Sequence, residues 1–280
     1  MDSAMVYRGL DIGTAKPSVA VRADVPHHLI DILDPSEPYS AGRFARDAEA
    51  AIRSIAARGR LPLLVGGTLL YLRALRDGLA SLPRADESVR RQLDAEAAAT
   101  SWAIQHDRLR AIDPEAAARI APTDRQRIQR ALEVHALTGK PISQLQRAAK
   151  AAPSLRVQTI ALVPEQREDL AARIERRFDA MVAAGLVAEV EGLHARGDLT
   201  PEMPSMRAVG YRQIWGYLDN YYDWEEARRR AIVATRQYAK RQLTWLRGDT
   251  QCERWPAFAP DLIARCVRHL TLGGMIETKS

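Results

Sequence analysis

The sequence predicts an α/β protein with a mainly parallel sheet flanked by helices and a helical insertion. Three observations support this fold class across the 280 residues. Residues 61–65 form a fully apolar run typical of a buried parallel strand, and residues 157–163 form a second strand candidate. A helical pattern follows each of them. Residues 83–146, between the two, show helical spacing throughout, which favours a sheet covered on both faces and interrupted by helices.

The first part of the chain is predicted to contain a polar loop, a short strand and a helix. Residues 2–17 combine charged, hydroxyl and glycine positions, which is typical of a loop around a polar ligand. Residues 29–33 are mostly apolar and end at a turn, as a strand does. A helix is expected between an N-cap at Ser40 and Gly59. The strand at 61–65, a glycine turn and a helix over 69–76 complete this part.

The insertion is predicted to be built from helices with clear start and stop signals. Asp86 is a suitable N-cap for a helix through Ala99, and Pro114 occupies a first-turn position of another. Asp124 opens a third helix that ends at Gly139. We therefore predict a catalytic core formed by residues 1–83 and 155–280, with residues 84–154 as the helical insertion.

The last part of the chain returns to the α/β pattern. After the strand at 157–163, apolar residues recur at helical spacing from Leu170 to Met181. Residues 185–204 are rich in glycine, proline and acidic residues, which predicts a bend. Asp223 is placed to cap a long helix. A short strand near 252–255 and a helix over 260–270 are expected at the end.

Composition places the chain among globular proteins that remain in the cytoplasm. Apolar residues make up 46% and charged residues 27%. No apolar run is long enough for a membrane span, and no signal sequence is recognisable at the start. Cys252 and Cys266 lack the spacing of a zinc site or a disulfide framework. A net charge of +6 is compatible with a polyanionic partner, although charge alone does not identify one.

Two positions are candidates for chemistry in the core. Thr68 begins a helix directly after Gly66 and Gly67, so its hydroxyl and the free backbone N–H groups there would face an anion. The alternative is a tight strand-to-helix connection with a capping threonine. Asp2 is a candidate general base for a substrate amine or hydroxyl, or a capping aspartate in a turn.

Three basic surfaces are candidates for contact with a phosphate backbone. The helix from 125 carries Arg125, Gln126, Arg127 and Arg130 on one face, and the last long helix carries Arg236, Lys240, Thr244 and Arg247. In the loop 204–212, Arg207 and Arg212 are placed to clamp phosphates, and Gly210 permits close approach. Tyr211, Tyr238 and Trp245 are aromatic residues nearby for base stacking. The ordinary alternative for each surface is a solvated charged face.

Taken together, these segments resemble the tRNA dimethylallyltransferases, the isopentenyl transferase family that modifies the adenosine following the anticodon. The resemblance is carried in family order by residues 2–17, 63–71, 126–133, 207–213 and 240–247, and it spans almost the whole chain. It implies a core like that of P-loop nucleotide kinases. It also implies a channel that receives dimethylallyl diphosphate at one end and a flipped-out adenine at the other.

The resemblance also implies roles for individual residues. Asp2 would take the proton of the adenine N6 amine, while Thr68 and Arg207 would stabilise the departing diphosphate with Mg²⁺ assisting; no protein metal ligand is implied. The expected partners are the tRNA anticodon stem-loop and dimethylallyl diphosphate, with no membrane, and the chain is expected to be a monomer. Contact with tRNA is expected from Asp2, Ser3, Ala4, Met5, Thr68, Arg90, Gln126, Arg127, Ile128, Gln129, Arg130, Arg207, Ala208, Val209, Gly210, Tyr211, Arg212, Lys240, Arg241, Gln242, Leu243, Thr244, Trp245, Leu246 and Arg247.

One family feature is absent from the printed sequence. The family carries a strand and a loop of the type Gly-x-x-x-x-Gly-Lys-Ser/Thr ahead of residues 2–17, and no such motif occurs here. We therefore expect the first strand and P-loop to be missing, through a truncated gene model or a degenerate copy, with weaker stability and diphosphate binding. The alternatives to a transferase are a small-molecule kinase of P-loop type and a catalytically inactive tRNA-binding remnant.

Overall fold

The computed structural model describes residues 1–80, 82–148, 155 and 157–273. The chain divides into two compact units, the first formed by Met1–Arg76 with Ser154–Ser280 and the second by Asp77–Pro153. Over the described residues, the helices and strands of the first unit are α1 (Val19–Asp24), α2 (Ala41–Ala57), α3 (Leu69–Arg76), β1 (Thr159–Val163), α9 (Arg167–Ala183), α10 (Leu186–His194), α11 (Tyr211–Leu218), α12 (Trp224–Gly248), β2 (Cys252–Pro256) and α13 (Leu262–Gly273). The second unit contains α4 (Glu87–Ala99), α5 (Trp102–Ile112), α6 (Pro114–Arg119), α7 (Arg125–Thr138) and α8 (Ile142–Arg147).

The α/β class is confirmed, and the described sheet is small. Strands β1 and β2 pair in parallel, with Thr159 opposite Cys252 and Val163 opposite Pro256. A further parallel bridge joins Tyr7 to Leu33. Helices of the first unit share one core that includes Tyr7 and Leu33 of this bridge, and its fully buried members include Val6, Leu10, Phe44, Leu186, Met206 and Ile214.

Several helix boundaries follow the predicted caps. Ser40 accepts a hydrogen bond from the Arg43 N–H at the start of α2, and Asp86 accepts from Ser88 and Val89 at the start of α4. In the second unit, α7 begins after Asp124 and ends at a left-handed glycine. Its apolar side packs in a core of its own, with members Leu93, Leu109, Ala116, Ile128, Ala131, Leu132 and Val134.

The predicted strand at 29–33 is wrong. Leu29 and Asp31 have φ angles of 61° and 55°, which an extended strand does not allow. The bend is held by Asp31, whose carboxylate accepts hydrogen bonds from Lys16 at 2.5 Å and Arg22 at 2.7 Å. Ion pairing between side chains outweighs the local apolar pattern at this point.

The predicted strand at 61–65 also has no ladder partner among the described residues. Leu63 is 59% exposed and Val65 is 77% exposed, although the apolar pattern predicted burial. An apolar run becomes a buried strand only where a neighbouring strand pairs with it. The bend predicted at 185–204 is wrong in its first half, because Leu186, Val190 and Leu193 bury one face of helix α10.

No helix in the described part of the chain has the length and apolar character needed to cross a lipid bilayer.

Candidate functional site

Asp2 is held in a tight turn at the start of the chain. Its Oδ1 accepts the backbone N–H of Ala4 at 2.7 Å and that of Met5 at 3.0 Å. An aspartate that bonds the backbone two and three residues ahead fixes its own direction. Among the described residues, no donor bonds its other oxygen. Asp2 is half-buried, so one carboxylate oxygen remains available to a substrate proton.

Thr68 lies beside this turn at the start of helix α3. The Met1 amino group donates to the Val65 carbonyl at 2.5 Å, and the Thr68 N–H approaches the Met1 carbonyl at 3.4 Å. The Thr68 hydroxyl makes a long hydrogen bond of 3.5 Å to Ser3. The structure therefore brings Asp2, Ser3 and Thr68 together at a helix N-terminus, where N–H groups lack intrahelical partners.

The glycines before Thr68 permit two close approaches. Gly66 has a φ of 145°, and a Cβ there would lie 2.1 Å from the Met1 carbonyl oxygen. A Cβ on Gly67 would lie 2.3 Å from Nε2 of Gln242. Gly66 is required for its backbone conformation and its contact with Met1, whereas a side chain at Gly67 would displace the Gln242 amide.

Helix α12 closes the other side of this turn. The Gly67 carbonyl accepts hydrogen bonds from Gln242 at 2.9 Å and from the Tyr238 phenol at 3.2 Å. Burial raises the pKa of the Tyr238 phenol, and the nearby Asp2 carboxylate raises it further. Burial likewise raises the pKa of Tyr71, with Asp2 and Tyr7 adding to the effect. Asp2 thus lies near two phenols that stay protonated at neutral pH.

Tyr71 was missed by the sequence analysis as a site residue. It lies three residues after Thr68, so it belongs to the same helical turn, and its ring stacks on Phe44 at a centroid distance of 4.3 Å. The one signal for Tyr71 in the sequence was its place in residues 63–71, which resemble the family.

Another face of α12 lines a groove of about 210 Å³ against helix α9. Its floor is apolar, and cationic side chains surround it. The lining residues are Arg167, Leu170, Ala171, Ile174, Arg236, Ala239, Lys240, Leu243 and Arg247. The predicted tRNA-contact segment is therefore divided, since Gln242 faces Gly67 whereas Lys240, Leu243 and Arg247 face the groove.

The remaining members of that segment occupy the flanks of the helix. The Arg241 guanidinium lies 5.8 Å from the Tyr238 ring, and the Trp245 ring lies 5.9 Å from the guanidinium of Arg76. The Thr244 hydroxyl donates a hydrogen bond to the Lys240 carbonyl. The Leu246 carbonyl accepts a hydrogen bond from Arg254 at 2.7 Å.

The loop before helix α11 presents Arg207 to solvent. Its backbone is anchored by Ser205, whose hydroxyl donates to the Pro35 carbonyl at 2.6 Å, and by the buried Met206. Within the described chain the Arg207 side chain has no hydrogen-bond or ion-pair partner, so its guanidinium is available for an anion. No contact joins it to Asp2 or Thr68 among those residues, and their shared role stays a prediction.

The other members of this loop are more enclosed. Ala208 and Val209 are half-buried, whereas Arg212 is exposed. The Gly210 N–H donates to the Gln213 side chain at 2.9 Å. Tyr211 is fully buried and donates its phenolic O–H to Glu189. Its ring is not available to stack on an RNA base, contrary to the sequence-based interpretation.

In the second unit, the predicted contacts lie on helix α7 and on Arg90 of helix α4. Gln126 and Arg127 are exposed, Gln129 and Arg130 are half-buried, and Ile128 is fully buried. Ile128 therefore packs in the core of this unit and does not face a ligand. Arg90 and Arg130 both pair with Glu133, a residue that the sequence analysis did not single out.

The oxygen atoms at this site fit a Mg²⁺ ion that is also bound to substrate phosphate. Among the described residues, no three His, Cys, Asp or Glu side chains converge on one point. Mg²⁺ in phosphate chemistry commonly uses one or two protein oxygen ligands together with water and substrate phosphates. The Thr68 and Ser3 hydroxyls provide oxygen donors of that kind beside the helix terminus.

The parallel-stranded α/β core is of the kind related to nucleotide kinases, and it carries a hydroxyl and a carboxylate beside a helix N-terminus. Residues 5–249 match the family described as IPP transferase, and the chain belongs to that family. The family predicted from the sequence is confirmed.

Three comparisons support this assignment. The tRNA dimethylallyltransferase of Alkalilimnicola ehrlichii is 57% identical over 98% of this chain and 87% of that protein. The crystal structure of the tRNA isopentenylpyrophosphate transferase of Bacillus halodurans matches with a TM-score of 0.67 and 39% identity, covering 98% of this chain and 86% of that one. A eukaryotic dimethylallyltransferase acting on tRNA matches with a TM-score of 0.70 and 29% identity over 96% and 70% of the two chains. Neither the kinase alternative nor the expected impairment is supported by these comparisons.

Proposed function

We propose that this chain transfers a dimethylallyl group from dimethylallyl diphosphate to the exocyclic N6 amine of the adenosine 3′-adjacent to the anticodon in tRNA. The observation that carries the proposal is the convergence of Asp2, Ser3 and Thr68 at the N-terminus of α3, in a chain of the IPP transferase family. The relatives are named as tRNA dimethylallyltransferases, which supports a dimethylallyl group as the group transferred and tRNA as the acceptor.

In the proposed reaction, Asp2 acts as the general base. The adenine N6 amine attacks the allylic carbon of the donor, a C–N bond forms, and the C–O bond to diphosphate breaks. The electron pair of that bond leaves with the diphosphate, and the amine proton passes to the free oxygen of the Asp2 carboxylate. The turn to Ala4 and Met5 holds this carboxylate in place.

The diphosphate is stabilised by groups at and near the start of α3. Thr68 supplies a hydroxyl and the helix terminus supplies N–H groups, both of which favour an anion. Arg207 provides a free guanidinium for bidentate contact. Thr68 would hold Mg²⁺ through its hydroxyl, and the ion would supply positive charge that favours departure of the diphosphate.

The anticodon stem-loop would bind to basic and polar residues of each unit that are exposed or partly exposed. Candidates in the first unit are Arg207, Arg212, Lys240 and Arg247, and those in the second are Arg90, Gln126, Arg127 and Arg130. The target adenine must leave the base stack because its amine is otherwise out of reach. We expect the protein to carry out this reaction as a monomer in the cytoplasm.

A comparison of matched aspartate variants tests the proposal. Asp2→Asn keeps an oxygen acceptor for the turn and removes the base, whereas Asp24→Asn changes an exposed aspartate on α1. With a tRNA anticodon stem-loop and dimethylallyl diphosphate, single-turnover transfer should fall by about 100-fold or more in Asp2→Asn. Binding of the stem-loop should change less than threefold.

Two results would overturn this function. One is an Asp2→Asn variant that transfers within twofold of the parent rate while Asp24→Asn does the same. The other is a parent protein that binds the stem-loop and yields no dimethylallylated adenosine by mass spectrometry, the outcome expected of a tRNA-binding remnant.

A further inference from the structure

Glu133 lies at the centre of a buried network in the second unit. Its side chain on α7 has 0% exposure and its carboxylate accepts from three separate donors. Arg90 donates to it through Nε at 2.9 Å and Nη2 at 3.2 Å, and Arg130 donates through Nη1 at 2.6 Å. The Asp86 N–H donates at 2.8 Å, which links the start of α4 to α7.

These bonds fix the planes of both guanidinium groups. The paired bonds from Arg90 form a bidentate contact, and Arg130 spans Glu133 and the Pro83 carbonyl at 2.7 Å. A guanidinium has five N–H donors. Each of these arginines uses two of them in the network, so three remain. The side chains of Arg90 and Arg130 are 41% and 28% exposed, so both remain partly open to solvent.

The network keeps a positive charge at the surface. Two arginines and one ionised glutamate sum to +1. Burial would raise the pKa of Glu133, but the hydrogen bonds from Arg90 and Arg130 outweigh it and hold that pKa below its ordinary range. By contrast, the Arg127 side chain is 71% exposed, and within the described residues its one ion-pair partner is the nearby Asp124 at 3.4 Å, as for a solvated surface residue.

We propose that Glu133 is a positioning residue that orients Arg90 and Arg130 in advance for phosphate groups of bound RNA. This inference rests on the proposed function, in which the second unit contacts tRNA. Arginines that are already fixed lose less side-chain freedom on binding, which increases affinity without a new contact. Because Glu133 is buried, it acts through the arginines and does not touch the RNA.

The test measures binding of a tRNA anticodon stem-loop to the full chain. Glu133→Gln keeps the shape and removes the charge, while Glu96→Gln removes a surface carboxylate of α4 that pairs with Arg108 at 2.6 Å. Glu133→Gln should weaken binding five- to tenfold, and Glu96→Gln should leave it within twofold. In an Arg90→Ala/Arg130→Ala background, Glu133→Gln should have no further effect.

A purely structural role would give a different pattern. In that case Glu133→Gln would weaken binding equally in the parent and in the Arg90→Ala/Arg130→Ala background, which would overturn the inference. Equal binding by Glu133→Gln and the parent would overturn it as well. If the Arg90→Ala/Arg130→Ala variant binds the stem-loop as the parent does, these arginines do not contact the RNA. The inference would then be wrong.

Arg90→Lys provides a second variant should Glu133→Gln not fold. Lysine keeps the positive charge and cannot make the two parallel N–H bonds to Glu133. Binding should weaken at least threefold, and unchanged binding would overturn the inference. The Asp2→Asn variant tests the catalytic proposal separately from this inference, because it should lose dimethylallyl transfer while it binds the stem-loop normally.

Discussion

The Tyr211 phenol donates to Oε1 of Glu189 at 2.5 Å. The same carboxylate accepts the backbone N–H groups of Asp11, Ile12 and Gly13 at 2.7 to 3.2 Å. Three successive N–H groups form a cradle for an anion, and here a side chain of α10 fills it. This contact joins the polar opening loop to the start of α11.

The first prediction concerns this contact. Tyr211→Phe should lower the free energy of unfolding by about 1 kcal/mol, because one hydrogen bond is lost. Glu189→Ala should lower it by about 3 kcal/mol or more, since several N–H groups lose their acceptor. Urea denaturation provides the measurement. Tyr221→Phe, at an exposed phenol, is the control and should stay within about 0.5 kcal/mol of the parent. Equal stabilities for Glu189→Ala and the control would contradict the prediction.

The second prediction concerns the glycine turn before Thr68. Gly67→Ala should destabilise by about 1 kcal/mol, because the new Cβ displaces Gln242 from the Gly67 carbonyl. Gly66→Ala should destabilise by about 3 kcal/mol, since both its φ and the Met1 carbonyl oppose a side chain. Thermal unfolding should show a lower melting temperature for Gly66→Ala than for Gly67→Ala.

Two further variants serve as controls for that turn. Gly248→Ala meets no atom within 4 Å and should be nearly neutral. In a Gln242→Ala background, the effect of Gly67→Ala should largely disappear because the colliding amide is gone. Full additivity of the two substitutions would show that the amide is not the cause.

The third prediction is an acid sensitivity of the second unit. Burial would raise the pKa of Asp113, but the Ser143 and Ala116 N–H groups outweigh it and hold that pKa below its ordinary range. A carboxylate whose pKa is lowered in the folded protein stabilises the fold at any pH above its pKa in the unfolded chain, which is about 3.9. That stabilisation is lost as the pH falls through the pKa of the folded state. The stability difference between the parent and Asp113→Asn should therefore shrink from pH 6 to pH 2.5. Asp107→Asn, an exposed control, should show no such trend.

The fourth prediction concerns the buried ion pair between the ends of α3 and α12. Arg76 bonds Asp249 at 2.7 Å, and both side chains are less than 10% exposed. Arg76→Met should destabilise by about 3 kcal/mol or more because it leaves a buried carboxylate unpaired. Arg76→Met/Asp249→Asn should recover part of that loss. Urea denaturation that shows strictly additive losses would exclude the pair as the cause.

Local signals in the sequence predicted the helices well. Asp86, Asp124 and Asp223 each cap the helix that follows, because an N-cap acts within one turn and needs no distant partner. Strands were predicted less well, since residues 61–65 depend on a pairing neighbour that the local pattern does not reveal.

The candidate site was predicted in part. Asp2, Ser3 and Thr68 do meet, which the glycine turn and the family resemblance indicated. Glu133, Glu189 and Tyr71 were missed, because most of their partners are distant in the sequence, with Asp11 lying 178 residues from Glu189. Ile128 and Tyr211 were assigned to the tRNA surface from contiguous motifs, although the helical repeat directs them inward.

Helix α12 makes contacts on two different sides, with Gln242 against Gly67 and Leu243 against α9. Each residue of an α-helix turns the chain by about 100°. One residue inserted between Tyr238 and Gln242 would therefore turn Leu243 and Arg247 away from α9 and withdraw the Gln242 amide from the Gly67 carbonyl. The spacing of residues along this helix, and not only their identity, sets which side chains meet the glycine turn and which meet the groove.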